Sequence, residues 1–71
     1  MQFQYFNPKI LLVINPHGQI RTLHTPFRVQ HIANESFVYV DEIITNSDKE
    51  LLYLVNGKIA PHSSFRIIIN F

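Results

Sequence analysis

Hydrophobic and polar positions divide the chain into short apolar runs that are separated by turn-forming residues. The runs are rich in Ile, Val, Leu, Phe and Tyr, and groups of Pro, Gly, Asn, Asp and Ser interrupt them. Strand-length runs with a turn signal roughly every 8–12 residues are typical of all-β domains. A chain of 71 residues has room for one small domain. We therefore predict a single all-β domain over residues 1–71.

The first two predicted strands form an N-terminal hairpin. Residues 9–14 (KILLVI) are apolar on both faces, as in a fully buried strand. The turn sequence NPHG follows, and residues 19–24 (QIRTLH) return with apolar and polar positions alternating. Before this hairpin, residues 1–6 (MQFQYF) alternate aromatic side chains with glutamine. This alternation predicts one more strand, either at a sheet edge or covering the domain itself.

Pro26 separates the hairpin from the next strand. Because proline donates no ladder hydrogen bond, we expect the chain to change direction or sheet there. The six residues that follow, FRVQHI, alternate as a strand does. Phe27 and Val29 are expected on one face, with Arg28 and Gln30 on the other.

The sequence FVYVDEII predicts a further strand whose alternation is interrupted. Val38 and Val40 are expected to point into the core, with Phe37 and Tyr39 pointing out. The acidic pair at residues 41–42 interrupts the pattern because two isoleucines follow it in succession. A β-bulge or a strong twist near Glu42 accounts for the interruption.

Residues 48–56 have two interpretations. In one, Ser47 is a helix N-cap, Glu50 completes a capping box and Gly57 is the C-terminal cap, which gives an α+β fold with a short helix. In the other, Asn-Gly between two apolar runs turns one strand into the next, since this dipeptide is the strongest short-range hairpin signal. Tyr and Val within the segment favour a strand. We take the hairpin as the main interpretation and the helix as the alternative.

The C-terminal segment completes a predicted barrel. A short strand at residues 58–60 is followed by a tight turn at residues 61–64 and a closing strand at residues 65–71. From residue 27 onward, the order of strand, loop, long hairpin, tight turn, short strand, one-turn helix and closing strand resembles that of small SH3-like barrels. The resemblance implies an SH3-like barrel over residues 27–71, preceded by a hairpin extension over residues 1–26.

The composition indicates that part of the surface is covered by a partner. Hydrophobic residues make up 46% of the chain and charged residues 15%, whereas about 25% charged residues are usual. So few charges leave much of a small domain's surface apolar, and we expect another copy of the chain or another protein to cover some of it. The alternative is a monomer with an unusually apolar surface.

The absence of cysteine and the small net charge limit the compartments, metal sites and ligands that we expect for the protein. The absence of cysteine excludes disulfides and thiolate metal sites, and it fits a reducing compartment. No apolar stretch reaches the roughly 18 residues of a membrane helix, and the first residues lack the pattern of a signal peptide. We therefore expect a cytoplasmic protein. The net charge of +1 is too small to indicate nucleic-acid binding by itself.

No constellation of residues indicates catalysis or a cofactor. Asp41 and Glu42 are adjacent, so on a strand they face opposite sides and do not converge on one substrate. The two glycines form no phosphate-binding loop, and no pair of histidines has the spacing of a zinc site. We predict no enzyme activity, no metal, no cofactor and no small-molecule substrate.

One set of aromatic and basic residues predicts a binding surface: Phe37, Tyr39, Tyr53, Lys58, His62 and Arg66. The three aromatic residues are expected to share one face of the central hairpin, beside the basic residues of the neighbouring turn and strand. Such a face suits a protein partner, suits nucleic acid less well, or only stabilises the sheet by cross-strand packing. We predict a non-enzymatic protein-interaction module or a small structural subunit of a larger assembly. The alternative is a small nucleic-acid-binding barrel.

Overall fold

Turn residues divide residues 2–70, the part that the computed structural model describes, into nine β-strands and one 3₁₀ turn. In chain order the strands are β1 (Gln2–Asn7), β2 (Ile10–Ile14), β3 (Ile20–His24), β4 (Phe27–His31), β5 (Phe37–Val40), β6 (Glu42–Thr45), β7 (Leu51–Val55), β8 (Lys58–Pro61) and β9 (Phe65–Ile67), with the 3₁₀ turn at His62–Ser64. The predicted all-β class is confirmed.

The strands form three antiparallel sheets of three strands each within residues 2–70. Sheet A has the order β1-β2-β3, sheet B the order β5-β4-β9 and sheet C the order β6-β7-β8. The predicted N-terminal hairpin is present as β2 and β3, and the chain passes from sheet A to sheet B at Pro26. Of the strand predicted at residues 1–6, residues 2–6 lie in an edge strand, β1, which pairs with β2. Met1 lies outside the described residues.

Residues 48–56 contain a strand and a turn, so the alternative of a short helix is wrong. Leu51, Tyr53 and Val55 are buried while the residues between them are only half-buried, which is the period of two of a strand. Asn56 and Gly57 both have positive φ, 52° and 76°, as a type I′ hairpin turn requires. The hairpin therefore forms, and β8 returns along β7.

The C-terminal strand is shorter than predicted. Strand β9 ends at Ile67, and residues 68–70 follow without strand pairing. The last position of the predicted strand, Phe71, lies outside the described residues. Across residues 2–70 the three sheets do not join into a closed barrel.

The inner faces of the three sheets share one hydrophobic core. Its members are the buried residues Leu11, Val13, Phe27, Val29, Val40, Ile43, Leu51, Tyr53 and Val55. Full burial of such side chains contributes about 1.5–3 kcal/mol each to folding. Because Leu11 and Val13 belong to sheet A and are completely buried, sheet A shares one core with sheets B and C.

The outer faces of sheets A and C also carry aliphatic side chains, beside polar ones such as Gln4, Thr22, His24 and Glu42. The outward aliphatic residues are Ile10, Leu12, Ile14 and Ile20 in sheet A, and Ile44, Leu52, Leu54 and Ile59 in sheet C. Most of these side chains are half-buried, but Ile20 and Ile59 are 60% and 61% exposed. Apolar side chains on both faces of these two sheets are consistent with the low share of charged residues in the sequence.

Candidate binding face

Sheet B carries a different outer face. Strand β4 is central, and its register places Arg28 opposite Tyr39 and places Gln30 between Phe37 and Arg66. Successive strand residues point to opposite sides, so these five side chains lie together on the side away from Phe27 and Val29. We call the set Arg28, Gln30, Phe37, Tyr39 and Arg66 the aromatic–arginine face.

The two aromatic rings of this face are open to solvent. Phe37 is 54% exposed and Tyr39 is 57% exposed. The guanidinium carbon of Arg28 lies 4.9 Å from the centre of the Phe37 ring, which is within the range of a cation–π interaction. Gln30 Nε2 donates a hydrogen bond to the Glu35 carbonyl oxygen at 3.2 Å. The face therefore has an ordered arrangement before any partner binds.

The chemistry of the face suits a partner with aromatic or apolar groups and negative charge. Its five side chains include two guanidinium groups and no lysine and no carboxylate. Arginine and aromatic residues are enriched in protein interfaces, whereas Lys, Asp and Glu are depleted there. Guanidinium groups also bind carboxylates or phosphates in a bidentate manner.

The structure brings three of the six predicted site residues together: Phe37, Tyr39 and Arg66. Tyr53 does not join them, because it points inward and is only 1% exposed. The irregularity that the sequence predicts near Glu42 lies at Asp41, and it explains the difference. Odd-numbered residues point outward in β5, but after this irregular residue the odd-numbered Ile43 points inward, and Tyr53 lies opposite it. The expected sharing of one face by the three aromatic residues is therefore wrong.

Tyr53 is instead a central packing residue. Its ring lies 5.9 Å from the ring of Phe27 and 5.9 Å from the ring of Phe65, between centroids. Such aromatic contacts add about 0.5–1.5 kcal/mol beyond the burial of area. Burial raises the pKa of the Tyr53 phenol above its usual value, because the charged form is poorly solvated in the core.

Lys58 and His62 also lie away from the aromatic–arginine face. Lys58 is exposed at the hairpin turn of sheet C, opposite Val55. His62 begins the 3₁₀ turn, where its Nδ1 lies 3.0 Å from the Leu51 carbonyl oxygen. A carbonyl oxygen only accepts, so Nδ1 carries the proton and donates. In the neutral ring, Nε2 is then a free acceptor.

His62 lines the wall of a cleft between β1 and sheet C. The cleft has a volume of about 460 Å³, and Phe3 and Tyr5 form its aromatic side. The Phe3 ring packs edge-on against the His62 ring at 5.8 Å. Among residues 2–70, no group of three or more His, Asp or Glu side chains is arranged to hold a metal ion.

Two members of the aromatic–arginine face, Arg28 and Gln30, were not among the predicted site residues. The alternation of the sequence placed both on the outer side of their strand, but it did not identify the neighbouring strands. Only the order β5-β4-β9 brings Arg66, from near the end of the chain, beside Gln30 and Phe37.

Two further findings concern the chain as a whole. In the part of the chain that the structure describes, no helix has the length and apolar character needed to cross a membrane. A scan against models of known protein families, a search of curated proteins and a search of solved structures each found no match to this chain.

Proposed function

We propose that the protein is a non-enzymatic protein-interaction module that docks a partner on the aromatic–arginine face. The observation that carries the proposal is the pair of half-exposed rings, Phe37 and Tyr39, flanked by Arg28 and Arg66 on one sheet. The proposed partner is a protein segment in which aromatic or apolar side chains are combined with carboxylates.

Rigid placement supports this proposal. Interface hot spots are enriched in Trp, Tyr and Arg, and truncation of one of them costs 2 kcal/mol or more. Side chains that are already ordered lose less entropy on binding. Arg28 is positioned over Phe37, and β4 is paired on both sides, so the face needs little rearrangement to bind.

Selection from a random peptide library displayed on phage tests the proposal. We expect the protein to enrich peptides that combine Asp or Glu with an aromatic residue. One enriched peptide, made synthetically, is then titrated against the protein and its variants. Phe37→Ala and Arg28→Ala should each weaken binding about tenfold or more, which corresponds to about 1.4 kcal/mol.

The chain offers matched controls for both substitutions. Phe6 is 64% exposed on β1, and Arg21 is exposed on β3, so both lie in sheet A and away from the face. Phe6→Ala and Arg21→Ala should leave the affinity unchanged. Equal effects of all four substitutions, or a library from which no peptide is enriched, would overturn the proposal.

Single-stranded nucleic acid is a second candidate ligand for the same face. The arrangement of two exposed rings with two arginines favours it, because bases stack on aromatic side chains and phosphates bind guanidinium groups. Filter binding of labelled oligo-dT and oligo-U between about 50 and 200 mM salt tests it. This candidate requires an affinity that falls with salt and is lost in Tyr39→Ala. Flat, weak binding at every salt concentration removes it.

We also propose an SH3-like relationship for the region from β4 to β9. Its support is the order of elements: strand, loop, a long interrupted strand pair, a tight turn, a short strand, a 3₁₀ turn and a final strand. The aliphatic outer faces of sheets A and C fit the related proposal of a small subunit within a larger assembly, because large exposed apolar patches mark interaction sites.

A further inference from the structure

The edges of the sheets differ in how they are protected against pairing with another strand. Strand β1 has an irregular register between Tyr5 and Asn7, and β8 carries Lys58 and ends in Pro61. Strands β5 and β6 have four residues each, and β9 has three. Bulges, charged side chains (lysine above all), proline and short length are among the features that natural proteins use to block edge pairing.

Strand β3 has no bulge, no lysine and no proline in its five residues, Ile20–His24. All five pair with β2 in an unbroken register, and four of the five are exposed. Arg21 is the strand's only residue with a permanent charge. Within residues 2–70, β3 pairs with no strand other than β2. It is therefore the least protected edge of the three sheets.

Two hydrogen bonds identify the backbone groups that β3 presents at this edge. The Asn15 amide donates to the Gln19 carbonyl, and the Thr25 amide donates to the Lys9 carbonyl, each at 3.0 Å. In an antiparallel pair, bonded and non-bonded residue pairs alternate. Counting inward from both ends, the pairs Val13–Arg21 and Leu11–Leu23 are bonded. Arg21 and Leu23 therefore direct their backbone N–H and C=O groups to β2.

The remaining residues of β3 direct their backbone groups away from β2. These residues are Ile20, Thr22 and His24, which are opposite Ile14, Leu12 and Ile10 in non-bonded pairs. The free edge therefore offers three N–H donors and three C=O acceptors in a straight row. Within residues 2–70, no other strand is paired with this row.

We propose that β3 pairs antiparallel with β3 of a second copy of this chain, about a two-fold axis at Thr22. In this register Thr22 faces Thr22 of the second copy, and Ile20 faces His24 of the second copy. All three donors and all three acceptors of each edge are then bonded. The two copies share one continuous six-stranded sheet.

Self-complementarity is the reason that a second copy fits this edge. Pairing centred on Arg21 leaves part of the row unbonded and places two arginines opposite each other, which is destabilising. Pairing centred on Thr22 places Arg21 opposite Leu23 of the second copy and gives a Thr–Thr pair, which is a favourable cross-strand pair. It also covers part of Ile20, which is 60% exposed in the single chain.

The dimer is independent of the function proposed for sheet B. Strand β3 belongs to sheet A, so the aromatic–arginine face stays open when two copies pair. A single strand pair is a small interface, and small interfaces are transient. We therefore expect a dimer that dissociates on dilution in the micromolar range.

Charge substitution at the two-fold axis tests the pairing. Thr22 is exposed, and its backbone groups are not bonded to β2, so substitutions there leave the hairpin intact. Thr22→Lys and Thr22→Glu each place like charges opposite each other, and each alone should have the mass of the single chain, 8.3 kDa in the unchanged protein, by light scattering. A one-to-one mixture of the two should recover twice that mass, as the unchanged protein does at high concentration.

Thr22→Val is the matched control, because it keeps the N–H donor and adds no charge. It should dimerise as the unchanged protein does. The proposal is overturned if the unchanged protein keeps the mass of one chain at every concentration. It is also overturned if Thr22→Lys and Thr22→Glu associate as before, or if their mixture stays at the mass of one chain.

Amide hydrogen exchange of the unchanged protein is a second measurement that needs no variant. The amides of Ile20, Thr22 and His24 should be protected at dimeric concentrations and should exchange rapidly after dilution. Rapid exchange of these three amides in the dimer would place the interface elsewhere and refute the proposal. Protection at all dilutions would also refute it, because pairing between copies depends on concentration.

Discussion

The hairpins β2–β3 and β6–β7 are joined by loops of the same construction. In each loop the first asparagine, Asn15 or Asn46, donates its amide to the carbonyl of the fifth residue. Its side-chain Oδ1 accepts hydrogen bonds from the amides of the third and fifth residues, at 2.9–3.0 Å. Its carbonyl accepts from the amide of the fourth residue, at 3.0 Å. Two unlike sequences, NPHGQ and NSDKE, therefore form one loop.

The hairpins differ in the residue at the fourth position of the loop. Gly18 has φ of 81° there, and Lys49 has φ of 62°. Positive φ costs a residue with a side chain about 1–2 kcal/mol, but it costs glycine little. The asparagine side chain is thus sufficient to define the loop, and glycine only removes strain from it.

The hairpins also differ in what the second strand does. Strand β7 buries Leu51, Tyr53 and Val55 in the core, whereas β3 is exposed at four of its five residues. The same loop is therefore followed by a central strand, β7, in sheet C and by an edge strand, β3, in sheet A. This difference follows from the strand residues, because the loop geometry is shared.

The largest expected effect separates the two second strands. Tyr53→Ala removes a buried ring and should lower the free energy of unfolding by about 3–5 kcal/mol. Thr22→Ala, at the middle of the exposed strand, should change it by less than about 0.5 kcal/mol. Urea denaturation followed by circular dichroism measures both. Similar losses in the two variants would show that β3 is packed as well as β7.

Alkaline pH should have the next largest effect, and it acts on the same side chain. The folded state raises the pKa of Tyr53 above the ordinary value of about 10. Stability is therefore complete below about pH 10 and is lost as pH rises further, because only the unfolded chain ionises readily. Tyr53→Phe should flatten this loss in denaturation curves measured at increasing pH. An equally steep loss in that variant would assign it to another group.

A third turn, between β7 and β8, lacks the asparagine-bonded construction and depends on glycine more strongly. Gly57 has φ of 76°, and a Cβ added there would meet no atom within 4 Å. Gly57→Val should therefore lose about 2–3 kcal/mol through backbone strain alone. Thermal melting measures the loss. An unchanged melting temperature would contradict the assigned turn.

Removing the loop asparagines should have a smaller and equal effect in the two hairpins. Asn15→Ala and Asn46→Ala each leave two amides without their side-chain acceptor, and each should cost about 1–2 kcal/mol, as loss of a helix N-cap does. Denaturation curves of both variants give the comparison. A loss confined to one variant would mean that the loops are alike in geometry but not in energy.

Exchange of the fourth residues should have the smallest effects, and these have opposite signs. Lys49→Gly should raise the free energy of unfolding by about 0.5–1 kcal/mol. Relief of the positive φ stabilises the folded state, and the greater chain entropy of glycine in the unfolded state offsets part of that gain. Gly18→Lys should lower it by about 1 kcal/mol. In the double variant, the change in the free energy of unfolding should be close to the sum of the two single changes, since the loops lie on different sheets. Equal signs for the two single variants would contradict the comparison.

Local patterns in the sequence were sufficient to predict most of the strands. Val38 and Val40 point inward as their alternation indicates, and Asn56-Gly57 turns the chain as its chemistry requires. The prediction that Tyr53 shares a face with Phe37 and Tyr39 was wrong because one irregular residue, Asp41, reverses which positions point inward. A pattern of period two carries no information across such an interruption.

The candidate site was harder to predict for a different reason. Phe37 and Tyr39 could be identified from alternation alone, but Arg66 joins them only because β9 pairs with β4. That pairing joins residues far apart in the chain, and no local pattern specifies which strands become neighbours. Lys58 and His62 matched the chemistry of a binding site but lie on other surfaces, and Tyr53 is buried in the core.

The pairing of Val29 with Ile67 also determines when the aromatic–arginine face is completed during synthesis. A ribosome makes β4 and β5 early, but the third strand of their sheet emerges only after residue 67 has left the exit tunnel. Until then, Phe37 and Tyr39 stand on an incomplete sheet without Arg66 beside them. A growing chain that has not reached this point therefore lacks the complete face, which forms only after residue 67 has emerged.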